Sequence, residues 1–321
     1  MIVTDGPIGG DCTFTGCVPS KTLLAEARRG ASFREALERV AATIDRIAAT
    51  ESADVLRSQG IDVVEGRGTI VAPDAVAVDG RRIEARTILV ATGARAAIPP
   101  VPGLDGVDFR TNEDFFEPRS RPDRLAIIGA GPIGCEMATA MAGFGTDVFL
   151  IDGADRVLPR EEPEASAVTA AVLIERGVDL RLGDPIQSVE VAGPRFRVAL
   201  DDGPIEVDEI LVAAGRRPNT DEIGLVDVGV EMDGEGHVLV DGRLRTSVRS
   251  IVAAGDVTGL LPFTHAANEQ GRLAAAHALG TGARWKYDSR ATPWVTFTDP
   301  EVARFGLLES EAAEIGGQVV H

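Results

Sequence analysis

The 321-residue sequence is poor in cysteine, in aromatic residues and in clustered positive charge, and each shortage excludes a class of protein. Three cysteines are too few for a disulfide-rich secreted scaffold. No run approaches the roughly 18 apolar residues of a membrane-spanning helix, and the N-terminus lacks the features of a signal peptide. A formal net charge of −18, with no block of Lys or Arg, argues against binding to nucleic acid. We therefore expect a soluble, cytoplasmic protein with no membrane or nucleic-acid partner.

Two of the cysteines lie close together in the segment GGDCTFTGCVPSK, at residues 9–21. A disulfide between Cys12 and Cys17 would close so short a loop that it would add only about 2 kcal/mol to the stability of the fold, so stabilisation is a weak reason for the pair. Gly16 lets the backbone leave regular helix geometry and bring the two residues within disulfide range. Lys21 supplies a cation that favours a nearby thiolate. We prefer redox exchange as the interpretation; metal binding is the alternative, although no histidine or second cysteine pair lies close in sequence.

The third cysteine, Cys135, stands alone inside an apolar helical segment. An isolated cysteine in such a setting is typically a small buried hydrophobic residue. We therefore predict no chemical role for Cys135 and no metal site in the chain.

The rest of the sequence alternates helical and strand patterns. Residues 20–58 have apolar positions at helical spacing and are predicted to be helical, with an end at Gly60. Short strands separated by Gly and Asp turns follow over residues 61–85. Two similar segments then occur, RTILVATGAR (86–95) and DEILVAAGRRPN (208–219), each an apolar strand that ends at Gly and Arg. This internal repetition predicts two domains built on one plan.

The segment RLAIIGAGPIGCEMATAMAGFGTDVFLID, residues 124–152, predicts a dinucleotide-binding unit. An apolar strand, glycines in GxGxxG spacing, a helix of small residues and a second strand follow one another in that order. Such glycines permit a tight turn, close approach of the backbone to pyrophosphate, and close packing of helix on sheet; here they are Gly129, Gly131 and Gly134. Asp152 at the end of the second strand favours NAD over NADP, since an acid there binds the ribose 2′-hydroxyl and repels a 2′-phosphate. Arg156 nearby makes that preference moderate.

Taken together, these segments resemble the class I pyridine nucleotide-disulphide oxidoreductases, the flavoproteins that include dihydrolipoamide dehydrogenase, glutathione reductase and mercuric reductase. The matching segments occur in the family's order over essentially the whole chain: GGDCTFTGCVPSK, the ATG segment, IGAGPIGCE, AAGRRPN, IVAAGDVTG and PWVTFTDPEVARFG. The most specific element is CxxxxCVPSK, and its wording is similar to the dihydrolipoamide dehydrogenase and mercuric reductase branch. The chain departs from the family's usual GGTCLNVGC pattern at Asp11, Thr13, Phe14 and Thr15, which leaves the dithiol intact and the substrate subgroup open.

The resemblance implies a catalytic role for each of four residues. Cys12 would be the outer thiol that exchanges with substrate, and Cys17 would lie against the flavin as the charge-transfer thiolate. Lys21 would lie near flavin N5 and pair with Glu136, beside the nicotinamide. Without the resemblance, Glu136 would be interpreted as a solvated helix carboxylate.

The resemblance also implies contacts with FAD and NAD. Asp256 would hold the ribityl and pyrophosphate part of FAD, and the backbone around residues 262–265 would lie along the isoalloxazine. Taken alone, Asp256 would be a turn residue and His265 a buried, hydrogen-bonded histidine. Gly215 would approach NAD, and the remaining predicted cofactor contacts are Gly68, Thr92, Gly93, Phe263, Thr264 and His265.

The implied fold class is α/β, with two Rossmann-like three-layer domains, the first incomplete, and the start of an α+β interface domain. The expected boundaries are 1–118 (FAD-binding, without its first strand and GxGxxG), 119–244 (NAD-binding), 245–285 (return to the FAD domain) and 286–321 (start of the dimerisation domain). The family's C-terminal His-Glu base pair has no counterpart in the sequence. The chain is therefore expected to be an internal fragment, truncated at both ends, that binds FAD weakly.

The expected activity is electron transfer from NAD(P)H through FAD to the Cys12–Cys17 pair, and then to a small-molecule disulphide or a mercuric ion. NAD is the expected nucleotide and NADP the less favoured one, and the full-length protein is expected to be a homodimer. Two alternatives stay open: a flavin NADH oxidase without dithiol turnover, and an NADH-binding module that senses redox state.

Overall fold

The computed structural model of the chain describes residues 1–281 and 284–316. These residues form two compact units, each described by itself below. Unit 1 comprises Met1–Gly10, Ala48–Arg95 and Arg216–Thr292, and unit 2 comprises Asp11–Ile47, Ala96–Gly215 and the residues from Pro293 onward. Residues 317–321, the end of the predicted interface segment, lie outside the described residues. The domain boundaries expected from the sequence stay a prediction.

Helices and strands occur in runs along the chain, and they alternate one by one only over residues 124–182. The helices are α1 (Gly10–Phe14), α2 (Cys17–Arg28), α3 (Phe33–Glu51), α4 (Ala53–Ser58), α5 (Pro132–Gly143), α6 (Pro163–Glu175), α7 (Thr264–Ala278) and α8 (Glu309–Glu314). The strands of the first half are β1 (Ile2–Thr4), β2 (Val63–Glu65), β3 (Thr69–Ala72), β4 (Ala75–Val78), β5 (Arg81–Glu84), β6 (Ile88–Val90), β7 (Ala94–Ala96), β8 (Arg124–Ile128) and β9 (Asp147–Asp152). Those of the second half are β10 (Asp179–Leu182), β11 (Ser188–Ala192), β12 (Arg195–Ala199), β13 (Ile205–Val207), β14 (Glu209–Val212), β15 (Arg216–Pro218), β16 (Ile251–Ala253), β17 (Trp294–Thr296) and β18 (Val302–Arg304).

The helical region predicted at residues 20–58 is broken into α2, α3 and α4. Gly30 takes the left-handed conformation (φ 73°) that commonly ends a helix, and α3 starts after a capping box. In that box the Glu35 N–H donates to Ser32 Oγ at 3.3 Å, and the Ser32 N–H donates back to Glu35 Oε2 at 2.9 Å. Ser52 caps α4, and Gly60 (φ 82°) follows its end, as the sequence predicts. The predicted helical character of this region is confirmed, and local capping signals divide it into three helices.

Unit 2 is built on a parallel sheet of strand order β10-β9-β8-β14. Successive residues of β8 enter two different apolar clusters. Leu125 and Ile127 pack with residues of α2, α3 and α5, whereas Ala126 and Ile128 pack with residues of the antiparallel sheet β11-β12-β13. Because both faces are covered, the strand is apolar throughout. These three layers confirm the predicted α/β class.

Helix α5 lies between the parallel sheet and α2, and almost all of its surface is buried. Its residues from Gly134 to Met141 are all buried, as expected for a helix that is apolar all round. A Cβ on Gly143 would lie 3.2 Å from the Ala27 Cβ of α2, so the small residue there permits close packing of the two helices. The dithiol segment is thereby fixed to the helix that follows the glycine turn.

Unit 1 contains two parallel strand pairs, β1-β2 and β16-β6, and the antiparallel sheet β3-β4-β5. The two repeated segments meet here, because Asn219 has four hydrogen bonds with the first segment, one of them from Arg95 Nη1 to Asn219 Oδ1 at 3.0 Å. Its backbone N–H donates to the Gly93 carbonyl at 3.0 Å, and its Nδ2 donates to the Thr92 carbonyl at 3.0 Å. In return Thr92 Oγ1 donates to the Asn219 carbonyl at 2.7 Å.

No helix in the described part of the chain is both long and apolar enough to cross a membrane.

Candidate functional site

The two nearby cysteines occupy two successive helices of unit 2. Cys12 lies in α1, and Cys17 is the first residue of α2; both side chains are half-buried. Gly16 lies between the helices with φ −122° and ψ −111°, outside helical geometry, as the sequence predicts. A Cβ on Gly16 would lie 2.8 Å from the Asp11 carbonyl oxygen, so the close return of the chain at this point requires glycine.

One turn further along α2, Lys21 forms an ion pair with the helix that follows the glycine turn. Lys21 Nζ donates to Glu136 Oε2 at 2.7 Å. Glu136 is only 3% exposed, so its interpretation as a solvated helix carboxylate was wrong. Its other oxygen, Oε1, accepts a hydrogen bond from the Phe297 N–H at 2.9 Å, and the Lys21 ammonium lies 4.8 Å from the Phe297 ring centroid. Both carboxylate oxygens therefore have donors, as a buried charge requires.

The predicted glycine turn at residues 129–134 leads from β8 into α5. Gly129 has φ 113°, and a Cβ there would lie 2.9 Å from the Ala214 Cα. A Cβ on Gly134 would lie 2.9 Å from the Gly129 carbonyl carbon and closer still to its oxygen. Gly131, which caps α5, has open space where its Cβ would lie. Packing therefore explains the first and third glycines, whereas the second leaves room for a ligand beside the N–H groups at the start of α5.

Asp152 ends β9 and closes the glycine turn. Its Oδ2 accepts the Ala130 N–H at 2.6 Å, and its Oδ1 accepts the Ala154 N–H at 2.8 Å. The side chain of Arg156 turns back onto the chain, where Nη2 donates to the Pro159 carbonyl at 2.8 Å. The Asp152 carboxylate therefore lies beside the turn, whereas the Arg156 guanidinium is hydrogen-bonded to the Pro159 carbonyl.

Several of the predicted FAD contacts lie in unit 1. Gly93 has φ 69° and open space where a Cβ would lie, which suits close approach of a ligand. Gly68 has a packing reason to be glycine, since a Cβ there would lie 2.9 Å from Val3 Cγ1. Gly215, the predicted NAD contact, is in unit 2 with φ 124°.

Asp256 lies in a short turn, as predicted, and forms an ion pair that the sequence analysis missed. Its Oδ2 lies 3.2 Å from Arg216 Nε. The turn is also held by Gln270, a fully buried side chain of α7, whose Oε1 accepts the Gly255 N–H at 2.8 Å. The repeated segments do not identify Arg216, since the residue that follows Gly in the first segment is Ala94.

The predicted residues 263–265 form the start of α7, which is Thr264–Ala278. Phe263 is the residue before the helix, and its ring stacks on His265 at 5.7 Å between centroids, with the planes 21° apart. His265 is exposed, so its interpretation as a buried histidine was wrong. A histidine in the first turn of a helix lies on whichever face the tertiary packing leaves open, and the sequence alone does not determine that face.

The third cysteine behaves as predicted. Cys135 is fully buried in α5, and its Sγ donates to the Ala130 carbonyl at 3.2 Å. Burial raises the pKa of this thiol to about 12, so it stays protonated and unreactive at neutral pH. Among the described residues there is no group of three or more His, Cys, Asp or Glu side chains placed to hold a metal ion.

Within unit 2, the structure brings together the Lys21–Glu136 pair and the glycine turn through the packing of α2 on α5. The predicted FAD contacts other than Cys17 and Lys21 lie in unit 1. Sequence reasoning missed Phe297, because a backbone N–H leaves no signal in the residue type.

Comparisons with known proteins agree with these observations. The family model described as pyridine nucleotide-disulphide oxidoreductase matches residues 1–271. In sequence the chain is similar to the mercuric reductase of Staphylococcus aureus, with 33% identity over 339 residues, which cover 99% of this chain and 62% of the relative. It is also similar to the glutathione reductase of Burkholderia cepacia, with 35% identity over 323 residues, which cover 95% of this chain and 71% of the relative.

Solved structures match the fold over nearly the whole chain. The Cu(II) complex of the HOCl-induced flavoprotein disulfide reductase RclA from Escherichia coli has a TM-score of 0.91 and 29% identity, and the match covers 97% of this chain and 73% of that one. LpdA from Mycobacterium tuberculosis has a TM-score of 0.85 and 33% identity, with the same coverage of 97% and 73%. The chain spans 54% to 62% of the length of the mercuric reductases it matches in S. aureus, Bacillus cereus and Lysinibacillus sphaericus.

Proposed function

The chain belongs to the pyridine nucleotide-disulphide oxidoreductase family, and from this premise we propose that it carries electrons from NADH through FAD to a Cys12–Cys17 redox pair. Members of the family are FAD-dependent oxidoreductases that use NAD(P)H. The observation that carries the proposal is the Lys21–Glu136 ion pair, at 2.7 Å. The ion pair joins the helix that starts at Cys17 to the helix that starts at the glycine turn. It therefore holds the segment that contains the two cysteines against the helix that follows the glycine turn.

The residues of the chain divide the proposed work between them. Backbone N–H groups at the start of α5 would bind the pyrophosphate of NADH, with Gly131 leaving the space for it. In unit 1, the left-handed Gly93 and the Arg216–Asp256 pair are groups that we propose contact FAD. FAD, when bound, would accept the hydride and pass both electrons to the sulfur pair.

The redox steps balance with one NADH for each disulfide. NADH loses a hydride, a proton is taken from solution, and the Cys12–Cys17 bond breaks to leave two thiols. In the second half, the Cys12 thiolate attacks one sulfur of the acceptor disulfide, forms a mixed disulfide and expels the first acceptor thiol; Cys17 then attacks Cys12 of the mixed disulfide, which re-forms the Cys12–Cys17 bond and releases the second acceptor thiol. With a mercuric ion as acceptor, the two thiolates would bind Hg(II), and two electrons from a second NADH, passed through FAD, would reduce it to Hg(0). The acceptor class we propose is therefore a small disulfide or a mercuric ion, and we expect the protein that contains this chain to be a homodimer.

The nucleotide preference that we propose is NADH over NADPH. Asp152 places a carboxylate at the glycine turn, where it would repel a 2′-phosphate. Arg156, the nearby cation, is hydrogen-bonded to the Pro159 carbonyl at 2.8 Å rather than extended toward a ligand. We expect NADH to bind at least about tenfold more tightly than NADPH, measured by fluorescence titration of the purified chain, and Asp152→Asn to narrow that ratio. Equal affinities in the unsubstituted chain would contradict this assignment.

The cysteine roles are tested by replacing each cysteine separately. The chain is purified, supplied with FAD, and assayed anaerobically for NADH oxidation with a small disulfide or with mercuric ion. Cys12→Ser and Cys17→Ser should each lower the rate about a hundredfold, whereas Cys135→Ala, the matched control, should leave it within about twofold. NADH oxidation that is independent of Cys12 would indicate a flavin NADH oxidase instead. NADH binding with reversible thiol oxidation and no turnover would indicate a redox-sensing module.

A further inference from the structure

The segment that donates a hydrogen bond to Glu136 is itself held by an arginine of α2. Arg28 Nη2 donates to the Thr298 carbonyl at 2.9 Å and to the Phe297 carbonyl at 3.3 Å. The Phe297 N–H, on the other side of the same residue, donates to Glu136 Oε1 at 2.9 Å. A short stretch of backbone therefore connects an arginine at one end to the buried carboxylate at the other.

One face of α2 carries the two cations whose contacts lead to this carboxylate. Cys17, Lys21 and Arg28 are separated by four and by seven residues, so they project from one side of the helix. Lys21 contacts Glu136 directly, whereas Arg28 reaches it through the backbone of Phe297. The two contacts address different oxygens of Glu136, Oε2 and Oε1.

We propose that Arg28 is a positioning residue for the Lys21–Glu136 pair. By holding the Phe297 and Thr298 carbonyls, Arg28 keeps the Phe297 N–H on Oε1 and so reserves Oε2 for Lys21. Glu136 is nearly fully buried, so the loss of one donor leaves the carboxylate short of a hydrogen bond that water does not easily replace. Among the residues that the structure describes, the Lys21 ammonium is the ion-pair partner of Glu136, so it then has both oxygens open to it and its position changes. The importance of this pair for electron transfer rests on the proposed function, but the positioning itself does not.

A purely structural alternative makes a different prediction. Arg28 Nη1 also lies 3.8 Å from Glu301 Oε1. In this alternative, the whole role of Arg28 is to anchor residues 297–301 to α2. In that case its loss would lower stability without any effect on Lys21 that depends on Glu136. The two explanations are distinguished by measuring the rate of Lys21 acetylation in chains with and without the Glu136 carboxylate.

The test compares Arg28→Met, which keeps the aliphatic stem, with the matched control Arg29→Ala. Arg29 is the next residue of the chain, is 71% exposed and pairs only with Glu26 in the described structure. Two quantities are measured on the purified chain: hydrogen exchange of the Phe297 amide, and the rate of Lys21 acetylation by acetic anhydride, followed by mass spectrometry. Arg28→Met should raise the exchange rate about tenfold and lower the acetylation rate about threefold, because the freed Oε1 gives the ammonium a second carboxylate oxygen. Arg29→Ala should change neither.

Two further variants make the result specific. Arg28→Lys, which restores a donor for the carbonyls, should recover most of the exchange protection. In a Glu136→Gln background, Arg28→Met should produce no further change in Lys21 acetylation, because the carboxylate through which it acts is gone. An unchanged Lys21 rate in Arg28→Met, or an equal change in both backgrounds, would overturn the proposal. Neither readout uses NADH or FAD, so the proposed redox function and this positioning role can fail independently.

Discussion

Two of the glycines in the dinucleotide turn should respond to alanine in opposite ways. A Cβ on Gly134 would lie 2.9 Å from the Gly129 carbonyl carbon, below the 3.0 Å that real Cβ atoms respect, and the neighbouring atoms are backbone. Gly134→Ala therefore forces α5 away from the turn and should cost about 3 kcal/mol or more in the free energy of unfolding of unit 2.

Gly131→Ala should instead leave the fold intact. Gly131 has φ −75°, which alanine adopts readily, and no atom of the described structure lies within 4 Å of the added Cβ. Reduced freedom of the unfolded chain stabilises by about 0.4–1 kcal/mol, and the poorer helix cap costs a similar amount, so the net change is about zero. The methyl group would occupy the space that we assign to pyrophosphate, so NADH affinity should fall at least about tenfold.

Both quantities are measurable on the same purified variants. NADH affinity is measured by fluorescence titration. Stability is measured by urea unfolding in a Trp285→Phe background, because Trp294, the other of the two tryptophans, lies in unit 2 and donates to Glu161 at 2.7 Å. Wild-type NADH affinity in Gly131→Ala would refute the placement of pyrophosphate at this turn. Wild-type stability in Gly134→Ala would refute the packing argument.

Three further outcomes follow from buried groups. Cys135 should resist alkylation in the folded chain. The pKa of its thiol, about 12 in the folded chain, exceeds the ordinary value of 9.0, so the protonated thiol contributes to the free energy of unfolding. That contribution should be complete below pH 9.0 and be lost as the pH rises toward 12, measured by urea unfolding against pH. Gln270→Met should lower the stability of unit 1 by about 2 kcal/mol, since it leaves the Gly255 N–H without its acceptor; a change within error would contradict that hydrogen bond's importance. Arg119 Nη2 lies 2.9 Å from Glu209 Oε1, so Arg119→Met removes the ion-pair partner of this carboxylate and should lower the free energy of unfolding of unit 2 by about 3 kcal/mol in urea. Replacing Glu209 by Leu as well should recover most of that loss.

Those parts of the site that depend on local pattern were predictable from the sequence. The strand, glycines and helix around Gly129, the acid at Asp152 and the buried Cys135 follow from residue type and spacing, and the structure confirms each of these placements. The pairing of Lys21 with Glu136 was predicted from the family resemblance, and the structure contains it at 2.7 Å.

Those parts that depend on tertiary approach were not predictable. Glu136 is buried because α2 and residue 297 cover α5, and nothing in the helix's own sequence distinguishes it from a solvated acid. The backbone N–H of Phe297 donates to Glu136, 161 positions away in the chain. Because nearly every residue type has a backbone N–H, the sequence gives no sign of this contact. Arg216 and Asp256 likewise meet only after β15 and the Asp256 turn are placed.

The most direct test of the central claim is to count which thiols NADH creates. The chain is oxidised, freed of oxidant, and incubated anaerobically with FAD and NADH; the thiols are then alkylated and located by mass spectrometry. We expect Cys12 and Cys17 to change together from a linked disulfide to two labelled thiols for each NADH consumed, while Cys135 stays unlabelled until the chain is unfolded. NADH consumption with Cys12 and Cys17 left as they were would contradict it.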